Sequence, residues 1–284
     1  MISTAGHCAV ACGFCFRADR AHGFLSVATY TRSLSRLREA GVEAVCITGG
    51  EPTHHPDLRQ LVRLAVQFGM SVSMVTSART KAEVAALAEV GHLLTNVTVS
   101  ADSRGAMALG RTARTAVSAV ATLNAVDTPS KVLHLTYWDV HADEAAQLAG
   151  LVAGTEIAVQ LSPVLLSEEA LRWAGRSAED SLVQRESDTA VLSRHFRLSE
   201  GYKLYLDDLR RTQSSDEESH PCQSAALYVS AKGEIRQCPY GASATSVHAT
   251  RAEIKAFLDA PTNDRVQPDC VAICRRTSHD CAAV

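Results

Sequence analysis

A chain of 284 residues with a formal net charge of −3 can bury a sizeable core, but it lacks the surplus of Lys and Arg that neutralising a nucleic-acid backbone requires. No segment approaches the roughly 18 consecutive apolar residues of a membrane helix, and no basic, apolar export signal precedes Cys8, so a cytoplasmic protein with neither nucleic-acid nor membrane partner is expected. Nine cysteines in such a chain point to metal ligation or catalysis, because the cytosol keeps thiols reduced.

From Ile2 to about Pro163, short apolar runs alternate with helical stretches, the pattern of a parallel α/β sheet. Strands are expected in the residues leading into Cys8, then at Glu43–Thr48, Ser71–Ser77, Asn96–Ala101, Lys131–Trp138 and Glu156–Ser162. Helices fall between them at Ala28–Ala40, Pro56–Phe68, Lys81–Val90, Thr112–Leu123 and Asp143–Val152. Gly41 and Gly69 follow two of these helices as C′ glycines do, and Pro56 suits a first helical turn. Right-handed crossovers would curl these units, residues 1–165, into a partial (β/α)6 TIM-like barrel, with catalytic groups at the carboxyl ends of the strands. Around Leu166–Thr212 the alternation gives way to charged, helix-favouring sequence ending in the polar run Ser214–Ser219, read as a solvated helical connector over residues 166–218. Beyond it, Leu227–Ser230 and Glu234–Gln237 form a candidate hairpin, and Ala252–Leu258 a helical stretch. Five of the nine cysteines lie from Cys222 onward, in a 219–284 piece small enough to need a metal staple.

Cys8, Cys12 and Cys15 are spaced C-x3-C-x2-C on the loop that leaves the first strand. Three thiolates on a four-iron cluster leave one iron without a protein ligand, and that iron can bind a substrate. A zinc knuckle is the alternative and needs a fourth ligand, for which His7 is the near candidate. The second strand ends in Thr48-Gly49-Gly50-Glu51-Pro52, where glycines admit a close backbone approach and Glu51 supplies a carboxylate acceptor.

Together the two elements resemble the radical S-adenosylmethionine (SAM) superfamily over the first 160 or so residues. The resemblance implies that Cys8, Cys12 and Cys15 hold a [4Fe–4S] cluster, that Gly49, Gly50, Glu51 and Pro52 contact the methionine amino group, and that Phe14 packs near the adenine. It also implies reductive cleavage of SAM to a 5′-deoxyadenosyl radical, with an external electron donor such as flavodoxin or ferredoxin. By position, Thr76 and Ser77 on the third strand and Ser100 and Asp102 on the fourth are candidate cofactor contacts, although a strand-end hydroxyl is often simply a cap. His54 and His55 are read as leading into the next helix rather than ligating metal.

Cys222, Gly233 and Cys238, spaced C-x10-G-x4-C, resemble the opening of the SPASM and twitch auxiliary-cluster domains. A second, auxiliary [4Fe–4S] cluster would then take Cys222, Cys238 and two of Cys270, Cys274 and Cys281. A structural zinc site with four cysteine ligands is the alternative. Cys46 shares a strand face with Thr48; it is either a small buried hydrophobe or a thiol that returns a hydrogen atom to a substrate radical, a role also open to Cys281 if it is not a ligand. The absence of residues ahead of Cys8 for a peptide-binding module favours a small-molecule substrate, a sugar or aminocyclitol type of natural-product intermediate undergoing epimerisation or dehydrogenation. The alternatives are maturation of a ribosomally made peptide by epimerisation or cross-linking, and a non-catalytic zinc or cluster protein. Arg17 and Arg20 are either anion contacts or surface ion-pair partners.

Overall fold

The computed structural model describes residues 1–10, 12, 14–15, 23–164, 175, 177–214, 227–237 and 243–260. Strand β1 (Ile2–Ser3) is followed by helix α1 (Val27–Glu39), β2 (Ala44–Thr48), α2 (Leu58–Gln67), β3 (Ser71–Thr76), α3 (Lys81–Gly91) and β4 (Asn96–Asp102). Helices α4 (Arg104–Gly110) and α5 (Ala116–Ala125) then lead to β5 (Lys131–Tyr137), α6 (Ala142–Val152) and β6 (Ile157–Pro163). The chain continues with α7 (Ala178–Leu192), α8 (Glu200–Ser214), β7 (Tyr228–Val229), β8 (Glu234–Arg236), β9 (Thr245–Ser246) and α9 (Arg251–Asp259).

The helices start where side chains satisfy their first amide groups. Ser26 caps α1 by accepting the Thr29 N–H, and Thr80 and Glu83 form a reciprocal capping box at α3. Apolar residues three and four apart face the sheet, as with Tyr30, Leu34 and Leu37 on α1 and Leu58, Leu61, Val62 and Ala65 on α2.

The strands run in the order β6-β5-β4-β3-β2-β1-β7-β8-β9, with β1 to β6 parallel. The sheet is open, as expected of a partial barrel. Alternate residues point to opposite faces. One face buries Val45, Ile47, Val72, Met74, Val97, Val99, Leu133, Leu135, Val159 and Leu161 in the main core under the helices, and each such side chain contributes roughly 1.5–3 kcal/mol. The opposite face carries Cys46, Ser73, Thr98, Ser100, His134, Thr136, Gln160 and Ser162. Register aligns Cys46 with Ser73, Ser100 with His134, and His134 with Gln160.

The structure departs from the sequence reading in four places. Helix α4 was not expected: it is a single short element started by Ser103, whose Oγ accepts the Ala106 N–H, and stopped by Arg111 in the left-handed region at φ 52°. Helix α5 therefore begins after its own cap, Thr115, rather than at Thr112. The connector helices are not solvated spacers, because Leu192, Phe196, Tyr202, Tyr205 and Leu206 join the main core. Tyr202 and Tyr137 of β5 share a buried hydroxyl hydrogen bond of 2.8 Å, and the Asp188 carboxylate accepts the N–H groups of Asp139 and Val140 at 2.9 and 2.7 Å. Finally, the β7–β8 hairpin extends the main sheet, β7 pairing in parallel with β1 at Ile2 and Val229, and β9 adds a third antiparallel strand.

Candidate cofactor site at the carboxyl ends of the strands

Chain geometry brings the end of β2 hard against the cysteine loop. The Gly50 N–H donates to Ala5 O at 2.5 Å and the Glu51 N–H to His7 O at 3.0 Å, in effect continuing the β1–β2 pairing past the last strand residues. Neither glycine can carry a side chain there. A Cβ on Gly50 would lie 1.9 Å from His7 O, and one on Gly49 would lie 2.8 Å from Ala5 N and O.

Glu51, only 1% exposed, accepts five hydrogen bonds. Its Oε1 takes the Thr53 N–H at 3.1 Å, the Thr53 hydroxyl at 2.7 Å and the Thr76 hydroxyl at 2.5 Å; its Oε2 takes the Ser77 N–H at 2.8 Å and the Ser77 hydroxyl at 2.6 Å. A buried carboxylate is tolerated only with such a donor set. Thr76 and Ser77, expected beside the cofactor, thus meet Glu51 directly.

The three thiols lie on one loop, none of them in a disulfide, with the Cys15 N–H donating to Cys12 O at 3.1 Å. Burial pushes the Cys12 thiol up to about 11, with the Arg114 guanidinium pulling the other way and Asp102, Cys15 and Cys8 adding to the rise. Among the described residues no three His, Cys, Asp or Glu side chains stand gathered as a metal site. The donor chemistry nevertheless fits an iron–sulfur cluster: three soft thiols in one short loop, pressed onto a glycine-built turn that ends in an acceptor.

Phe14 packs with Leu109 against Ala106, Trp138 and Val164. Gly110 makes room for it, since a Cβ there would come within 2.3 Å of its ring. Asp102 has a fully buried side chain whose carboxylate accepts from Arg114 through both oxygens and from the Thr112 hydroxyl at 2.5 Å. For Arg114 burial opposes the charge, and the hydrogen bond and charge of Asp102 more than offset it, so the guanidinium is held firmly cationic. Ser100 lies on the polar sheet face, aligned with His134, whose Nε2 meets Ser162 Oγ at 2.8 Å.

His54 Nε2 lies 2.7 Å from Glu83, and His55 bonds the Leu25 carbonyl while its Nδ1 accepts the Asp57 N–H. Cys46 sits beside Ser73, two residues before Thr48 at the rim, and burial raises its thiol against a hydrogen bond with Ser73. Cys222, Cys238, Cys270, Cys274, Cys281, Arg17 and Arg20 lie outside the described residues. Sequence reasoning missed Arg114, Thr112 and Gly110. Only Arg114 carried a signal, as a basic residue twelve positions after a strand-end aspartate.

An open parallel sheet with buried acceptors and thiols at the carboxyl ends of its strands is a partial-barrel enzyme scaffold. Residues 2–136 match the Radical SAM superfamily. A PqqA peptide cyclase of Rhodopseudomonas palustris is 37% identical over 89 residues, covering 30% of this chain and 24% of that protein. A probable GTP 3′,8-cyclase of Methanopyrus kandleri is 40% identical over 105 residues, covering 36% and 33%. Streptococcus suis SuiB, in its crystal structure bound to S-adenosylmethionine, superposes with a TM-score of 0.62 at 16% identity, over 91% of this chain and 65% of that one. SuiB bound to its precursor peptide SuiA superposes with a TM-score of 0.58. The alignments therefore span a quarter to a third of these curated relatives, and the likeness to SuiB is one of fold. No helix among the described residues is long and apolar enough to cross a membrane.

Proposed function

We propose that the chain is a radical SAM enzyme that modifies a peptide by oxidative bond formation. The observation that carries the enzyme reading is the buried Glu51 carboxylate, held by five donors on a turn that packs directly onto the cysteine loop. Cys8, Cys12 and Cys15 would hold a [4Fe–4S] cluster, leaving one iron for the cofactor. When bound, that cluster supplies the electron that splits S-adenosylmethionine and so generates the 5′-deoxyadenosyl radical. Glu51 receives the α-amino group, and Gly49 and Gly50 keep the turn close to the loop. The polar sheet face, with Ser100, His134, Gln160 and Ser162, meets the substrate and fixes its orientation. Cys222 and Cys238, with two of Cys270, Cys274 and Cys281, would hold a second cluster to accept the electron left on the peptide after the radical has taken one hydrogen atom, the remaining proton leaving to solvent. An external flavodoxin- or ferredoxin-like donor would supply the electron for cofactor cleavage.

The recurrence of PqqA peptide cyclases among the sequence relatives, in Bradyrhizobium diazoefficiens and Ruegeria pomeroyi as well, supports a peptide over the sugar or aminocyclitol expected from the sequence. It also supports cyclisation or cross-linking over epimerisation. The GTP cyclase relative favours a second reading, a purine nucleotide.

The test is anaerobic reconstitution, iron and sulfide counting, and 5′-deoxyadenosine formation with S-adenosylmethionine and dithionite, with a Cys8/Cys12/Cys15 triple alanine variant as control. Deoxyadenosine that vanishes in the variant supports the enzyme; bound zinc without deoxyadenosine overturns it. About eight irons support the second cluster and about four remove it. Loss of two hydrogens from a candidate peptide supports the peptide reading, and conversion of GTP supports the nucleotide one.

A further inference from the structure

We propose that Thr76 and Ser77 are positioning residues that act through Glu51, fixing its carboxylate so that its Oε2 edge is presented to an arriving ammonium group. This rests on the reading that Glu51 receives the α-amino group of S-adenosylmethionine. Among the described residues, Thr53 and Thr76 together hold Oε1, while Ser77 alone holds Oε2. Thr76 Oγ1 also accepts the Ala78 N–H at 3.0 Å, and a hydroxyl that accepts there aims its single proton at the carboxylate. The Thr76 bond is therefore directional, and Thr76 is itself only 3% exposed.

Ser77 is different. It is half-buried, and its hydroxyl is the one partner on Oε2 that can rotate away and yield its place, while its N–H remains to keep the oxygen oriented. The backbone confirms that the arrangement is built. Ala78, 1% exposed, has φ +34°, a left-handed conformation disfavoured for any residue with a Cβ. That turn directs both Ser77 donors back towards β2. Strain of this kind persists where surrounding contacts over-determine it, and it clusters at functional sites. A long, flexible Glu side chain held this way has already lost its rotamer freedom before the ligand arrives, which is how preorganisation raises affinity.

The experiment is equilibrium dialysis of the anaerobically reconstituted protein with two ligands, S-adenosylmethionine and 5′-methylthioadenosine, which shares the adenosine and lacks the amino acid. Thr76→Val removes a hydrogen bond to a charged group and is expected to weaken S-adenosylmethionine about tenfold, with Thr76→Ser restoring it to within about twofold. Methylthioadenosine is expected to bind both variants as it binds the wild type. Ser77→Ala, which removes the hydroxyl that yields to the ammonium group and keeps the N–H that orients Oε2, should bind both ligands at least as tightly as the wild type, and Thr76→Ala serves if Thr76→Val does not fold. Wild-type affinity for S-adenosylmethionine in Thr76→Val or its Thr76→Ala substitute, a loss of about tenfold in Ser77→Ala, or equal losses for both ligands, overturns the proposal. Glu51→Gln separates the two levels. Should that variant bind S-adenosylmethionine as tightly as wild type, the assignment of Glu51 itself fails, whatever Thr76 does.

Discussion

Gly50→Ala is the sharpest perturbation of the join between the cysteine loop and β2. Its Cβ would be built 1.9 Å from His7 O, 2.2 Å from His7 C and 2.8 Å from Cys8 N, all backbone atoms that no rotamer change can move aside. Relief requires the two segments to separate, which breaks the Gly50 N–H to Ala5 O and Glu51 N–H to His7 O bonds. Each bond contributes about 1 kcal/mol, and overpacking adds about 1–3 kcal/mol. A loss near 4 kcal/mol lowers the Tm of a chain this size by about 10 °C. Separation also carries Cys8 away from its partners, so the variant should take up much less iron on anaerobic reconstitution. Differential scanning fluorimetry of the apoprotein and a ferrozine iron count check both. Wild-type Tm together with wild-type iron would refute the claim that this contact holds the site together. Gly41→Ala is a fitting control: its φ of +82° strains any side chain, yet open space surrounds it, so it should lower Tm without lowering iron.

Arg114→Ala takes the guanidinium from the fully buried Asp102 carboxylate and leaves it, among the described residues, the neutral Thr112 hydroxyl as donor, which should cost about 3–5 kcal/mol. In a urea-denaturation cycle the Asp102→Ala/Arg114→Ala double variant should lose less than the two single losses together. Ala78→Gly relieves the positive φ and should raise Tm or leave it unchanged, while loosening the Ser77 turn; a marked fall in Tm would show that Ala78 is not strained. For Glu83, burial works against the charged form, but hydrogen bonds from the Thr80 N–H, His54 and the Arg79 N–H outweigh it and hold the carboxyl below its usual range. A depressed carboxyl stabilises the fold above its unfolded value of about 4.3 and loses that contribution as pH falls through the lower folded value. Glu83→Gln should therefore show a shallower decline of Tm on acidification below about pH 4.5 than the wild type; identical slopes would refute the pairing.

Local patterning carried most of this architecture. The β2 to β6 strands are period-two or continuous apolar runs bounded by capping residues and glycines, and each lies within two residues of its expected bounds. Helix α4 escaped because its seven residues, Arg104–Gly110, are too short a run to display a helical period and place their apolar residues in one block, Ala106–Leu109, and its start depends on a serine cap that reads equally well as a turn. The burial of α7 and α8 escaped for a different reason. Polar and charged residues outnumber apolar ones in both segments, and the apolar anchors on and between them, Leu192, Phe196, Tyr202 and Tyr205, gain meaning only once Tyr137 and the β5–α6 loop are in place to receive them.

The cofactor site divides along the same line. Cys8, Cys12, Cys15 and the Gly49–Pro52 turn are legible because short-range spacing defines them. The partners that make Glu51 and Asp102 tolerable as buried charges come from other strands and loops: Thr76 and Ser77 lie twenty-five and twenty-six positions downstream of Glu51, and Arg114 lies beyond an intervening helix. A sequence can announce that a carboxylate is needed at a strand end. Which hydroxyl or guanidinium neutralises it is decided by the parallel register that stacks β2, β3 and β4 side by side. The same register sorts the sequence-level candidates by distance from the chemistry: it places Thr76 and Ser77 against Glu51 at the rim, and sets Cys46 two residues further down the sheet beside Ser73.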